Sequence, residues 1–261
     1  MQEVRNSRPM KHSQDYPLKA RPMIGLEDEY PAGFVDPWHS HERAQFLYAS
    51  VGVMSVVTPQ TSFVIPPQRA VWLPAGTMHE VSCRGAVSLR TLYIDPVHDT
   101  DPGSCRVLEV SDFLKALVLE VVKFPAEYDL DGREGRIAWL LLDEIRRMPG
   151  APYHVPMPSE PRLVHVCRAI IADPADHRDI DAWSSLIGMS RRTFTRAFKQ
   201  ELGMGFALWR QQVRLMQAVS LLAAGRSITS VAFDVGYESP SAFTAMFHRA
   251  FGEPPSVYVS R

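Results

Sequence analysis

Short apolar runs between turn residues dominate the chain from about Arg21 to Pro96. Runs of this length, bounded by Pro and Gly, are typical of β-strands. They predict strands at Gln45–Ala49, Val51–Val57, Ser62–Ile65, Ala70–Leu73 and Ser88–Ile94. Because the strands follow one another closely, we predict a small antiparallel β-barrel.

The apolar pattern changes to a helical period after Ser111. It predicts one helix from Ser111 to about Phe124 and a second from Gly132 to about Met148. The two apolar stripes are Leu114, Leu117, Val118 and Val121, and Ile137, Leu140, Leu141 and Ile145. Because such stripes must be covered, we interpret these helices as mediating a homodimer. The alternative is that both pack on the rest of the chain and leave a monomer.

The last third of the chain contains the same helical unit twice. Each copy has a short amphipathic helix, a glycine turn, a serine cap and a second helix. The glycines are Gly188 and Gly236 and the serines are Ser190 and Ser239. Gly adopts the left-handed conformation that ends a helix, and Ser accepts a backbone N–H bond at the start of the next. Two such helix-turn-helix units in tandem predict a protein that places two helices in successive major grooves of one DNA face. The two units are called the first and the second reader.

Phenylalanine pairs define the inward face of each second helix. Phe194 and Phe198 lie four positions apart, as do Phe243 and Phe247. The residues predicted to contact DNA are Arg191, Arg192, Thr195, Arg196, Lys199, Ser241, Thr244, His248 and Arg249. Arg binds guanine bidentately, whereas the small side chains at the start of the second reader cannot. We therefore expect the first reader to discriminate bases more strictly than the second.

These patterns divide the chain into five segments. We predict a flexible arm at 1–20, a barrel-shaped sensor domain at 21–110 and a helical dimerisation region at 111–148. A Pro-rich linker at 149–161 and a helical DNA-binding domain at 162–261 complete the chain. The predicted fold class is α+β, with an N-terminal antiparallel β-barrel and a C-terminal all-α tandem helix-turn-helix domain.

Composition and charge agree with two ordinary globular domains. The 261 residues are 46% hydrophobic and 22% charged. The net charge of −1 divides into +3 for residues 160–261 and −4 for the remainder, as phosphate binding by the C-terminal domain requires. No apolar run approaches membrane-spanning length, so we expect no membrane partner. Cys83, Cys105 and Cys167 lie far apart without C-x-x-C spacing, which favours reduced thiols and a cytoplasmic protein.

The C-terminal motifs resemble a known family, the AraC/XylS-type transcription regulators. The matching stretches are Gly188–Lys199, Trp209–Leu215, Val231–Phe243 and Phe251–Tyr258, the last with the family's Gly-x-x-Pro-x-x-Tyr pattern. The resemblance implies a sequence-specific regulator that binds double-stranded DNA and is not an enzyme. Ala245 departs from the pattern, because many relatives carry a long polar or basic side chain at this position.

A second motif, in the predicted barrel, consists of residues able to bind a metal. His39 and His41 share one face of a strand because the side-chain period is two, and Gln45 and His79 follow. The motif resembles the cupin signature, His-x-His-x3-Glu-x6-Gly and Pro-x-Gly-x2-His, with Gln45 in the Glu position. The resemblance implies a cupin-like sensor domain with a possible divalent metal. Imidazole and carbonyl ligands suit zinc, nickel, iron or manganese.

If no metal binds, the same residues would line a polar pocket for a small-molecule effector. The candidate ligand contacts in that pocket are Trp38, Arg43, Tyr48 and Trp72. The stretch Pro22–Pro96 also resembles the regulators of nitroimidazole exporters, the NimR-type subgroup. We therefore predict a regulator that senses a small molecule or metal. The alternative is a metal-dependent cupin enzyme, of the dioxygenase or isomerase type, with an appended DNA-binding domain.

Overall fold

The computed structural model describes residues 21–67, 69–83, 85–99, 104–151 and 154–259. The chain forms two compact units: 1–56 with 65–152, and 57–64 with 153–261. The predicted arm at 1–20 lies outside the described residues. No helix in the described ranges is long and apolar enough to cross a membrane. The three cysteines are free thiols.

Antiparallel strands make up most of the first unit. In chain order the strands of the described residues are β1 (Met23–Tyr30), β2 (Val35–His39), β3 (Ala44–Val51), β4 (Met54–Val57), β5 (Thr61–Ile65), β6 (Arg69–Leu73), β7 (His79–Cys83), β8 (Val87–Ile94), β9 (Arg106–Glu109), β10 (Gly150–Ala151) and β11 (His154–Pro156). One sheet has the order β1-β8-β3-β6-β9-β10, and β4, β7 and β2 adjoin in that order in the other. The strands predicted from the sequence are confirmed except Val51–Val57, where Val51 ends β3 and only Met54–Val57 forms β4.

Strand β3 is buried on both of its faces. Gln45 pairs with Tyr93 of β8, and the next residue, Phe46, pairs with Leu92. Because side chains alternate along a strand, Gln45 and Tyr93 share one face and Phe46 and Leu92 share the other. The second face is covered by two helices, α1 (Asp112–Val121) and α2 (Arg133–Arg147), which confirm both predicted helices.

The apolar stripes of α1 and α2 lie mainly against this sheet. Leu114, Val118, Leu141 and Ile145 are at most 2% exposed and belong to one core cluster with strand residues. Ser111 begins α1 by accepting a hydrogen bond from Leu114 N at 3.1 Å. A smaller apolar set on the two helices remains exposed: Phe113, Trp139 and Leu140.

The second unit is largely helical. Its helices are α3 (Pro161–Ala172), α4 (Ile180–Leu186), α5 (Arg191–Leu202), α6 (Phe206–Ala223), α7 (Ile228–Asp234), α8 (Pro240–Phe251) and α9 (Pro255–Val259). Helices α4 and α5 form the first helix-turn-helix, α7 and α8 form the second, and α6 joins them. The predicted fold class, an antiparallel β domain followed by a helical tandem helix-turn-helix domain, is confirmed.

The described residues of the Pro-rich segment at 149–161 include two short strands. Strand β10 pairs with β9, and β11 pairs with Thr61–Phe63 of β5. Met157 N donates to Gln60 O at 2.7 Å, and Trp209 Nε1 of α6 donates to Pro156 O at 2.7 Å. The second of these bonds ties the segment leading into α3 to the helix that joins the two readers.

Candidate DNA-binding surface and candidate metal site

Both readers have the turn and cap that their sequences predict. Gly188 and Gly236 adopt φ values of 65° and 81°, the left-handed region that favours glycine. Ser190 accepts a hydrogen bond from Thr193 N, and Ser239 accepts one from Ala242 N, each at 3.2 Å. Each second helix therefore begins with a satisfied backbone N–H, immediately after a tight turn.

The first reader exposes the basic side chains that its sequence places outward. Phe194 and Phe198 are fully buried against Phe206 and Trp209, with ring centroids 5.2 to 5.7 Å apart. The opposite face of α5 is exposed and carries Arg192, Thr195, Arg196 and Lys199. The aromatic contacts hold α5 on α6, so the exposed cations project from a fixed helix.

Two of the predicted contact residues in α5 already have partners within the protein. Arg191 Nη1 donates to Asp181 Oδ2 of α4 at 2.8 Å, and both side chains are exposed. Thr195 Oγ1 donates to Arg191 O at 2.9 Å, which leaves its methyl group and lone pairs outward. Asp181 was not predicted as a partner of Arg191, because a spacing of ten residues across a turn gives no periodic signal.

The second reader exposes a shallower and less charged surface. Ser241, Thr244, His248 and Arg249 line an open groove together with Pro240, Ala245 and Pro254. These positions recur every three to four residues, so they form one stripe along α8. The structure thus brings together all four residues predicted for this helix, with the basic ones in its last turn.

Three imidazoles cluster in the first unit. The ligand atoms of His39, His41 and His79 all lie within 4.8 Å of one another. His39 ends β2 and is paired in register with His79 of β7, whereas His41 lies beyond the end of β2. His39 and His41 were predicted to share one face of a strand, but only His39 lies on a strand. His41 reaches the cluster from the turn after β2.

The ring nitrogens of the cluster are arranged as in metal-binding histidines. Nδ1 of His39 lies 2.6 Å from Pro37 O, and Nδ1 of His79 lies 2.9 Å from Thr77 O. A carbonyl can only accept, so each of these two rings carries a proton on Nδ1, and Nε2 is the nitrogen able to bind a metal. Nε2 of His41 and of His79 are buried without a hydrogen-bond partner among the described residues.

Gln45 carries a buried amide oxygen on the sheet face that it shares with Tyr93. Its Nε2 donates to Thr91 Oγ1 at 3.2 Å and to Tyr93 OH at 3.5 Å, which fixes the direction of the amide. Its Oε1 is buried without a partner among the described residues. The ring of Tyr93 meets that of His41 at 4.9 Å. Thr91 and Tyr93 were not predicted as part of the site, because the sequence does not reveal that β8 pairs with β3.

The surroundings of His41 and His79 favour neutral imidazoles. Burial, followed by the neighbouring His39 and His79, lowers the pKa of His41 to about 3. Burial also lowers the pKa of His79 to about 4, although its bond to Thr77 O opposes this shift. A neutral imidazole is the form that binds a metal ion, so His41 and His79 need no deprotonation near neutral pH.

The four predicted pocket contacts are not brought to the histidines. Tyr48 and Trp72 belong to the core cluster beneath α1 and α2, on the face of the sheet opposite Gln45. Arg43 is buried, and its Nη1 donates to Arg21 O at 2.9 Å. Trp38 is 43% exposed, whereas the neighbouring His39 is 8% exposed. The correction follows from the helical cover over the sheet, which the strand pattern does not reveal.

Known proteins are similar to this chain in sequence. A family model described as a helix-turn-helix domain matches residues 183–261. The transcriptional regulator NimR of Escherichia coli K12 is 29% identical over 225 residues, which cover 86% of this chain and 82% of NimR. The arabinose operon regulatory protein of Salmonella typhimurium LT2 is 30% identical over 48% of this chain and 47% of its own. The chain is thus similar to the AraC/XylS-type transcription regulators that its motifs resemble.

A solved structure of ToxT from Vibrio cholerae aligns with this chain at a TM-score of 0.40 and 11% identity, over 92% of this chain and 98% of ToxT. The similarity to NimR extends beyond the reader domain, as the predicted resemblance to that subgroup implies. The curated relatives are named as regulators, which supports regulation over the enzymatic alternative. The protein is thus a DNA-binding helix-turn-helix regulator.

Proposed function

We propose that this AraC/XylS-type regulator reads two successive segments of one DNA face with α5 and α8, under the control of a cupin-like sensor domain. The observation that carries the first part is the exposed basic face of α5, held in place by its buried phenylalanines. Neither Arg192 nor Arg196 forms an ion pair with another described residue, so both guanidiniums remain available for guanine. Lys199, farther along the helix, suits a phosphate.

Base readout by α5 is tested with DNA selected by the wild-type full-length protein from a randomised library. Arg196→Ala should weaken binding to this DNA roughly tenfold or more, because a bidentate guanine contact contributes about 1–3 kcal/mol of discrimination. Binding to an unrelated duplex at the same salt concentration should weaken much less. Arg168→Ala, which removes one exposed charge from α3, is the matched control and should preserve the specificity ratio. An unchanged ratio for Arg196→Ala contradicts the assignment.

The sensor proposal rests on the histidine cluster and Gln45. Two imidazole Nε2 atoms and one amide oxygen are buried without partners, a costly arrangement unless something binds them. His39, His41, His79 and Gln45 would hold a divalent zinc, nickel, iron or manganese ion. When bound, the metal would supply open coordination positions for a small-molecule effector. The carbonyls of Pro37 and Thr77 fix two of the rings for this role.

Metal binding is tested by elemental analysis of the full chain after dialysis against each of the four metals. The wild type should retain up to one ion per chain, and His41→Ala/His79→Ala should retain none. His165→Ala/His177→Ala, which removes two exposed histidines from the second unit, should bind like the wild type. Absence of metal from the wild type under all four conditions refutes the site and leaves a ligand pocket without metal.

We further propose that the exposed apolar positions of α1 and α2 form a homodimer contact. Phe113, Trp139 and Leu140 are 52%, 43% and 42% exposed, although the main stripes of both helices are covered within the chain. Large apolar side chains grouped on adjacent helices mark association surfaces. Sedimentation at micromolar concentration should give the dimer mass, and Leu140→Glu should shift it toward the monomer. A wild type that sediments only as a monomer overturns this proposal.

A further inference from the structure

One arginine of α6 contacts both the loop before the first reader and the turn of the second reader. Arg214 lies in the middle of α6 and is partly buried. Its Nε donates to Pro174 O at 3.0 Å, in the loop that leads into α4 of the first reader. Its guanidinium also lies over the ring of Tyr237, 5.8 Å from the centroid, in the turn of the second reader.

The turn of the second reader fits closely around this side chain. A β-carbon at Gly236 would lie 2.8 Å from Arg214 Nη2 and 2.9 Å from the Cα atom of Ala175. The turn therefore approaches both α6 and the loop before α4. Arg210, one helical turn before Arg214, donates from Nη1 to Arg178 O at 2.6 Å and secures the other end of that loop.

Aromatic contacts extend this junction to both recognition helices. On one side, Phe198 of α5 packs on Trp209 of α6 at 5.7 Å between centroids. On the other side, Tyr237 packs on Phe243 of α8 at 5.5 Å. Helix α6 thus holds α5 through Trp209 and the turn before α8 through Arg214.

We infer that Arg214 is a positioning residue that fixes α8 relative to α5 and so sets the spacing of the two DNA segments. The inference rests on the proposed reading of two segments. Its planar fork donates to Pro174 O while its face covers Tyr237, and a lysine ammonium cannot do both. A bond from a charged donor is also among the stronger hydrogen bonds in proteins. Without this contact α8 keeps its fold but loses its fixed position.

The test uses the full chain and DNA that the wild type selects from a randomised library. Duplexes are made with the second segment scrambled, and with one or two base pairs added or removed between the segments. The wild type should bind best at one spacing. Arg214→Met should lose roughly tenfold in affinity for the intact DNA, the size expected from one charge-assisted hydrogen bond, and its preference for spacing should flatten. Its affinity for the scrambled duplex should stay within about twofold of wild type.

Two further variants distinguish a positioning role of Arg214 from the loss of a charge and from a folding defect. Arg214→Lys keeps the charge and, being milder, should remain folded by circular dichroism while showing the flattened spacing profile. Arg226→Met removes a charge at the surface pair with Asp234 and should keep the wild-type profile. Equal losses on intact and scrambled DNA, or a wild-type spacing optimum in both Arg214 variants, overturn the inference. A wild type that selects only one segment overturns the two-segment proposal itself.

Discussion

Gln45 determines the charge of the candidate metal site. It is 4% exposed, and its neutral amide replaces the carboxylate of the cupin pattern, so all four proposed ligands are neutral. A divalent ion bound there would keep its full charge unless an effector or a more distant carboxylate balances it. Asp36 is the nearest such group, with Oδ2 3.7 Å from Nε2 of His39.

Gln45→Glu should make folding depend on the metal. Without metal, a buried carboxylate should lower the free energy of unfolding by about 1–3 kcal/mol, because it is desolvated and no longer donates to Thr91. Saturating zinc should restore more stability than it adds to the wild type, because binding to the native state alone stabilises it. Thermal melts with and without zinc measure both effects. Gln45→Leu, which lacks a ligand atom, is the control, and an equal zinc response in all three proteins argues against Gln45 as a ligand.

Asp181 competes with DNA for one cation of the first reader. Its carboxylate holds Arg191 at 2.8 Å, and both side chains are more than half exposed, so the pair itself contributes little to stability. Asp181→Asn should therefore leave the melting temperature nearly unchanged and tighten binding to any duplex by about two- to tenfold, since Arg191 gains a phosphate partner. Asp143→Asn, in α2, makes the same charge change at a similar exposed pair and should leave DNA affinity unaltered. Weaker binding by Asp181→Asn contradicts this prediction.

At the level of elements, the recognition helices depend on their caps. Ser190 satisfies Thr193 N at the start of α5, and its removal should cost about 1 kcal/mol. Ser190→Ala should accordingly speed hydrogen exchange in the first turn of α5 about fivefold, measured by mass spectrometry on the full chain. Ser185→Ala, an exposed serine of α4, should leave that exchange unchanged. Equal protection in the two variants would show that packing, not capping, holds this end of α5.

Strong periodicity explains which elements the sequence could predict. The central strands β3, β6 and β8 and helices α1 and α2 have clear apolar patterns, and their bounds agree with prediction to within a few residues. Strand β2 was not predicted, because it lies at a sheet edge, where Pro37 and polar residues are tolerated. Strands β10 and β11, at two and three residues, are too short to have a period.

The candidate metal site shows the same division. The spacing of His39, His41 and His79 predicts the cluster, but its supporting groups come from elsewhere in the chain. Thr91 and Tyr93 reach Gln45 only through the pairing of β8 with β3. Tyr48 and Trp72 could not be assigned to a face, because a strand buried on both sides has no alternation to indicate which face meets the barrel interior.

For the whole molecule, the distribution of charge limits the affinity for DNA of unrelated sequence. Residues 160–261 carry a net charge of only +3, and the remainder of the chain carries −4. Non-specific affinity depends on the number of phosphates that are neutralised, so a weak basic excess gives weak non-specific binding. Discrimination must therefore come from base contacts, and the two readers are unequally equipped to make them.

The two readers should leave unequal signatures in selected DNA. Helix α5 offers Arg192 and Arg196 along its exposed face, whereas the first turns of α8 offer Ser241, Thr244 and Ala245. The small side chains can contact phosphates, a thymine methyl group or a bridging water, but they form no bidentate guanine contact. His248 and Arg249 lie in the last turn of α8, away from the N-terminal end that contacts base edges in helix-turn-helix proteins.

We therefore expect one strictly specified major-groove segment beneath α5 and a looser one about 34 Å away, one helical turn along the same face. DNA shape and backbone contacts should dominate the second segment. Selection from a randomised library by the full chain, followed by sequencing, measures the information content of each segment. Ala245→Arg supplies the internal comparison, because a long basic side chain on the exposed face of α8 should sharpen the second segment alone. Equal information in both wild-type segments, or a stronger signal beneath α8, would show that small side chains do not limit readout in this protein.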